Sequence, residues 1–188
     1  MNYPIKFSPL DIITIVNFYK RLDRNEGLIV GPFLCSSSPK THIDDFENAI
    51  DFLCPSGTEV LAINDGEIIS LEDSFNGFGG NKQYEDKVNY VVIEHEGNCR
   101  SYYLHLEVGS VTNRGLKVGD KVKKGQIIGN VDNNGYMLYD PKKGPITHLH
   151  FELRKKAGST YKSMNPKFEN SFMYLITGWV MKKIFRGQ

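Results

Sequence analysis

From residue 56 onward this chain is written in short apolar runs, broken every few residues by turn formers. That rhythm, with little helix between the runs, confines the region to a mostly β fold, an antiparallel sandwich or barrel. Residues 58–63 and 67–71 flank Asn64-Asp65-Gly66 and read as a hairpin, because an Asp-Gly pair adopts the positive backbone angles of a tight turn. Residues 89–95 and 99–106, joined through Glu96-Gly97-Asn98, read as a second hairpin. Short strands at 116–118, 121–122, 126–131 and 148–154 complete the set. Residues 74–86 and 132–147 are glycine-rich or polar, and long loops of this kind border binding grooves in compact β domains. Upstream, residues 10–22 carry the apolar spacing of a short N-terminal helix, and residues 25–46 read as irregular.

Chemistry concentrates in a few places. His148-Leu149-His150 lies on the last strand of the set, and side chains two apart on a strand share a face. Both imidazoles therefore enter one space while Leu149 faces the other side. The same alternation puts Tyr103 and His105 on one face and gives Leu104 and Leu106 to the core. Glu47 and Asp51 are carboxylates four residues apart, which one turn of chain can bring together. Each feature alone has a bland explanation: exposed histidines, a sheet histidine, a solvated acidic face.

Together these segments resemble the lysostaphin-like, or LytM, zinc metallopeptidases. The resemblance runs from Glu47 through Asp51, Pro55, Gly57, Asp65 and Gly66, then Tyr103-Leu104-His105, Val118 to Gly129, His148-Leu149-His150 and Asn165-Pro166. It divides the chain into an N-terminal extension (1–46), a peptidase domain (47–166) and a C-terminal tail (167–188). It implies a duplicated-hybrid-motif β fold with a groove across the sheet. It also implies one zinc ion per chain, held in part by Asp51 and His150, with His105 and His148 as catalytic histidines and Tyr103 as a substrate-binding residue. Three protein ligands leave zinc an open position for water, the arrangement of a catalytic rather than a structural site.

The family's first histidine ligand falls at Glu47. Three readings follow: Glu47 takes the histidine's place, His42 reaches in from the preceding loop, or the site is dead and the domain is a cell-wall-binding or regulatory scaffold. The first is preferred. Two carboxylates would neutralise the zinc charge, so it carries an expectation of weaker activity or a higher pH optimum, and of tolerance for harder metals.

Global properties agree with a peptide or peptidoglycan substrate rather than nucleic acid. The 23 basic and 22 acidic residues nearly cancel, leaving no field to attract a polyanion. The three cysteines lack metal-type spacing and read as reduced thiols, with a Cys35–Cys54 bridge as the other possibility. A biotinyl or lipoyl carrier, suggested by 118–129, lacks a lysine in the 132–137 turn. The N-terminus does not read as a signal peptide, and the apolar run at 172–180 is far shorter than the ~20 residues of a membrane span. The family resemblance nevertheless implies the cell envelope or a secreted location.

Overall fold

The computed structural model describes residues 1–6, 26–30, 33–36, 42, 46–137, 139–140, 144–168 and 173–177. The expected helix at 10–22 lies outside them. Strands follow one another as β1 (Glu26–Val30), β2 (Phe33–Ser36), β3 (Ile50–Leu53), β4 (Glu59–Leu61), β5 (Gly66–Glu72) and β6 (Phe78–Gly79). Next come β7 (Tyr90–His95), β8 (Cys99–Leu104), β9 (Lys121–Val122), β10 (Ile127–Asn130) and β11 (Gly135–Tyr136). The series ends with β12 (Tyr139–Asp140), β13 (Gly144–Pro145), β14 (His148–Ala157), β15 (Thr160–Ser163) and β16 (Met173–Thr177). The fold is mostly β, as the turn spacing requires.

Ten of these strands form one antiparallel sheet in the order β16-β1-β2-β3-β14-β8-β7-β5-β9, with β15 paired to the far end of β14. The 25–46 region, expected to be irregular, thus supplies two strands, and part of the C-terminal tail supplies a third beside β1. The sheet therefore runs across both boundaries drawn from sequence.

The β7–β8 hairpin forms as expected, from Tyr90 opposite Leu104 to His95 opposite Cys99, with Gly97 and Asn98 both at positive φ in its turn. The β4–β5 hairpin does not form. β4 pairs with β10, and β5 pairs with β7 and β9. Gly66 explains the difference: its backbone is not left-handed, and it lies where a Cβ would sit 2.5 Å from the Glu94 carbonyl oxygen. That glycine serves a close approach to β7, not a tight turn. Residues 116–118 are not a strand either.

One apolar core fills the interior. Phe52, Ile68, Ile93, Tyr103, Leu149 and Phe151 from the large sheet meet Val60, Ile128 and Val131 from the β4–β10 side. Each large side chain buried in this way stabilises the fold by roughly 1.5–3 kcal/mol. β14 shows the division of labour: Leu149, Phe151 and Leu153 enter the core, while His148, His150 and Glu152 take the other face. All three cysteines are free thiols, so Cys35 and Cys54 are not bridged.

Two buried asparagines fix the loops above the sheet. Asn134 accepts from the Asn89 N–H at 2.6 Å and donates to the Phe75 carbonyl at 2.6 Å. Asn89 donates to the Phe75 and Leu106 carbonyls and accepts from the Phe75 N–H. The two long loops and the end of β8 are held as one unit, which gives the groove a rigid wall.

Candidate metal centre and groove

Antiparallel register assembles the centre. β3 and β14 pair so that Asp51 lies opposite His150, and β8 places Leu104 against the other side of His150. Residues opposite one another share a face, so a carboxylate from one strand meets an imidazole from its neighbour. His42 enters from the loop before β3. Its Nε2 lies 3.3 Å from Asp51 Oδ2, while His150 Nδ1 lies 2.9 Å from Asp51 Oδ1. His42, Asp51 and His150 are all buried and each offers a donor atom within 4.8 Å of the others. Glu47, the preferred third ligand from sequence, is not among them. Its side chain is exposed and accepts from Asn48 Nδ2 at 3.3 Å.

The electrostatics are those of a strongly coupled cluster. Burial alone would raise the Asp51 pKa, but the charge of His148 and hydrogen bonds from His150 and His42 outweigh it, holding the carboxyl well below its ordinary range. His150 is pushed up to about 9: burial opposes its charge, yet hydrogen bonds to Asp51 and Glu152 prevail. His105 moves the other way, to about 3, because burial and the neighbouring His148 and His150 all disfavour a proton on it. The carboxylates on either side of His150 thus favour its protonated form, while burial and the neighbouring imidazoles disfavour a proton on His105.

This donor set suits a metal ion. Two imidazoles and a carboxylate are zinc-type ligands. A metal bound here would require an unprotonated His150 nitrogen facing Asp51.

His105 and His148 stand beside the cluster. His148 Nε2 lies 3.8 Å from Asp51 Oδ1. Both rings line a groove of about 200 Å³ with His42, Asp51 and His150, whose outer walls include Phe46, Val88, Leu104, Tyr136 and Glu85. Phe46 and Tyr136 are partly exposed there, at 40% and 37%, a form in which aromatic faces can receive a ligand.

Tyr103 is not in the groove. It is fully buried on the core face opposite Phe151, its hydroxyl oxygen accepting from the Ile63 N–H at 3.0 Å and hydrogen-bonded to Ser101 at 3.1 Å. The expectation that Tyr103 and His105 share a face assumed unbroken alternation. The strand ends at Leu104, and His105 adopts a φ of +67°, so Leu104 and His105 both reach the groove. Sequence reasoning also passed over Glu152 and Arg154, which back His150 from the same face of β14. A period-two reading of His148, His150 and Glu152 contains that signal for Glu152.

Comparison with known proteins finds similarity to peptidases. The model of peptidase family M23 matches residues 45–166. The glycyl-glycine endopeptidase ALE-1 of Staphylococcus capitis is 33% identical over 151 residues, covering 80% of this chain and 33% of that protein. Lysostaphin of Staphylococcus simulans is 34% identical over 117 residues, covering 62% of this chain and 20% of that protein. The peptidoglycan DD-endopeptidase ShyC of Vibrio cholerae serotype O1 is 35% identical over 103 residues, covering 55% and 19%. The chain therefore spans a third or less of the length of these relatives.

Proposed function

The chain belongs to peptidase family M23, and from that premise we propose that it is a zinc-dependent endopeptidase acting on the peptides of peptidoglycan. The observation that carries this reading is the convergence of His42, Asp51 and His150 at a groove that His105 and His148 also line. In this reading His42 serves as the third ligand in place of Glu47. Two neutral imidazoles and one carboxylate leave a divalent ion with net charge +1, so the weakening expected of a second carboxylate ligand does not arise.

When bound, zinc supplies a Lewis acid that polarises a carbonyl and acidifies water. The remaining work falls to side chains. His105 donates from Nδ1 to the Asn134 carbonyl at 2.6 Å, and His148 donates from Nδ1 to the Ile146 carbonyl at 2.7 Å. Each ring then keeps an unprotonated Nε2, ready to take a proton or, once protonated, to donate to a developing oxyanion. Burial disfavours a proton on the resting His105 ring. Phe46, Val88, Leu104 and Tyr136 offer apolar walls to a peptide, and Glu85 adds a carboxylate to the lining.

The substrate class rests on the relatives, whose names specify glycyl-glycine and peptidoglycan DD-peptide bonds. A substrate in the wall places the protein at the cell envelope. No helix among the described residues is long and apolar enough to cross a membrane.

Elemental analysis of the purified protein, followed by incubation of the zinc-loaded protein with cross-linked peptidoglycan and pentaglycine, tests the proposal. About one zinc per chain is expected, together with release of peptide fragments. A zinc-loaded, folded protein that cleaves neither would overturn the peptidoglycan assignment, and a protein that takes up no zinc would overturn the metal assignment.

A further inference from the structure

His150 is held from both sides. Its Nδ1 faces Asp51, and its Nε2 lies 3.0 Å from Glu152 Oε1. Glu152 is 1% exposed, an unusual place for a carboxylate. Its second oxygen, Oε2, accepts from Arg154 Nε and from a terminal Arg154 nitrogen, both at 2.7 Å. The Arg154 guanidinium in turn lies over two aromatic rings, 4.6 Å from the centroid of Tyr102 and 5.2 Å from that of Phe46. Alternation along β14 puts His148, His150, Glu152 and Arg154 on one face.

We propose that Glu152 and Arg154 are positioning residues that fix the tautomer and orientation of His150 for metal binding. The inference rests on the zinc reading above and deepens it. An imidazole that donates its Nε2 proton to a carboxylate has Nδ1 left as the metal donor, and the hydrogen bond prevents the ring from turning away. Glu152 cannot serve this purpose alone. A buried carboxylate needs a compensating charge, and Arg154 supplies it through two bonds to one oxygen. The bonds also use up Oε2 and leave Oε1 for His150. Tyr102 and Phe46 hold the guanidinium in place. Phe46 is also a wall of the groove, so the same arginine joins the metal ligand to the surface a substrate touches.

The arrangement differs from a merely stabilising ion pair in what it predicts. Zinc affinity, measured by chelator competition on folded protein, is expected to fall about 10- to 100-fold in Glu152→Leu. Glu152→Gln retains an oxygen acceptor for His150 and is expected to fall by less. In zinc-loaded wild type, imidazole ¹⁵N spectra are expected to show His150 protonated at Nε2 and not at Nδ1, with that proton protected from exchange. The protection is expected to be lost in Glu152→Leu. Should Glu152→Leu fail to fold, Arg154→Met is the second variant, expected to weaken zinc binding in the same direction. Wild-type zinc affinity in these variants, with tight binding by the parent, would overturn this inference and leave the zinc reading intact. His150 protonated at Nδ1 in the zinc-loaded parent would do the same. A parent that binds no zinc would overturn both.

Discussion

His105 and His148 lie with their ring centroids 4.7 Å apart and their planes inclined at 68°, each tied through Nδ1 to a backbone carbonyl. The two rings reach this geometry from different segments, one just past the end of β8 and one at the start of β14. A carbonyl on Nδ1 fixes the same tautomer in both, so each ring keeps an Nε2 lone pair.

Replacing either ring by alanine should therefore lower kcat by roughly 10²–10⁴-fold, the usual size of an acid–base contribution. Zinc content should be unchanged, because neither residue belongs to the proposed ligand set. Steady-state kinetics with parallel metal analysis checks this. Loss of zinc in His105→Ala would show that His105 is a ligand instead.

His42 and Glu47 make a sharper pair. His42 is buried against Asp51 and Glu47 is exposed beside Asn48. His42→Ala should abolish tight zinc binding, whereas Glu47→Ala should retain about one zinc per chain. Elemental analysis of the two variants decides between them. Zinc lost from Glu47→Ala and kept by His42→Ala would reverse the assignment.

The strand rhythm, the β7–β8 hairpin and the face-sharing of His148 and His150 were legible because each depends on residues near in sequence. Tyr103 was misplaced by one local event, the left-handed backbone of His105, which period-two reasoning has no means to detect. The β4–β5 hairpin failed because Gly66 answers to β7, whose Glu94 lies twenty-eight residues away. His42 was open as one of three readings because nine residues separate it from Asp51, and only the path of the loop decides whether it arrives. Glu152 and Arg154 needed the third dimension for a different reason. A carboxylate two residues from a histidine becomes meaningful only once both are seen to be buried.

Tyr103 should matter for stability rather than for substrate. Tyr103→Phe leaves the buried Ile63 N–H without its acceptor and breaks the contact with Ser101. An unsatisfied buried donor costs about 1–3 kcal/mol. Urea unfolding should show a loss of that size while KM is unchanged, since the Tyr103 ring is buried on the core face. A large rise in KM at undiminished stability would restore Tyr103 to the groove.

His95 provides an acid-sensitive element away from the candidate metal centre. Its Nδ1 donates to the Asp65 carbonyl at 2.8 Å, its Nε2 lies 2.7 Å from Ser101, and burial pulls its pKa below the ordinary value despite the Asp65 bond. A histidine that binds its proton less readily when folded contributes stability that is present above its unfolded pKa of about 6.5. That contribution is lost as the pH falls below this value toward the depressed folded pKa. In the metal-free protein, stability measured from pH 7.5 to 5 should decline less in His95→Gln than in wild type. Parallel declines would show that other groups carry the acid sensitivity.

Gly135 tests whether the groove wall must be held where it is. Its φ is +78°, and a Cβ there would lie 2.6 Å from the Lys87 carbonyl oxygen and 2.9 Å from Val88 Cβ. The preceding residue, Asn134, supplies the carbonyl that holds His105 Nδ1 and the side chain that ties the two loops together. Gly135→Ala combines left-handed strain, of order 1–3 kcal/mol, with a clash against backbone that cannot move freely. The wall should shift and carry Asn134 with it, so His105 loses its orientation while His42, Asp51 and His150 keep theirs. The expected result is a folded protein of lowered melting temperature that binds zinc normally. Its kcat should fall by up to about 100-fold, the penalty for an ångström of misplacement. Wild-type turnover in this variant would mean that His105 does not depend on the Asn134 carbonyl for its position.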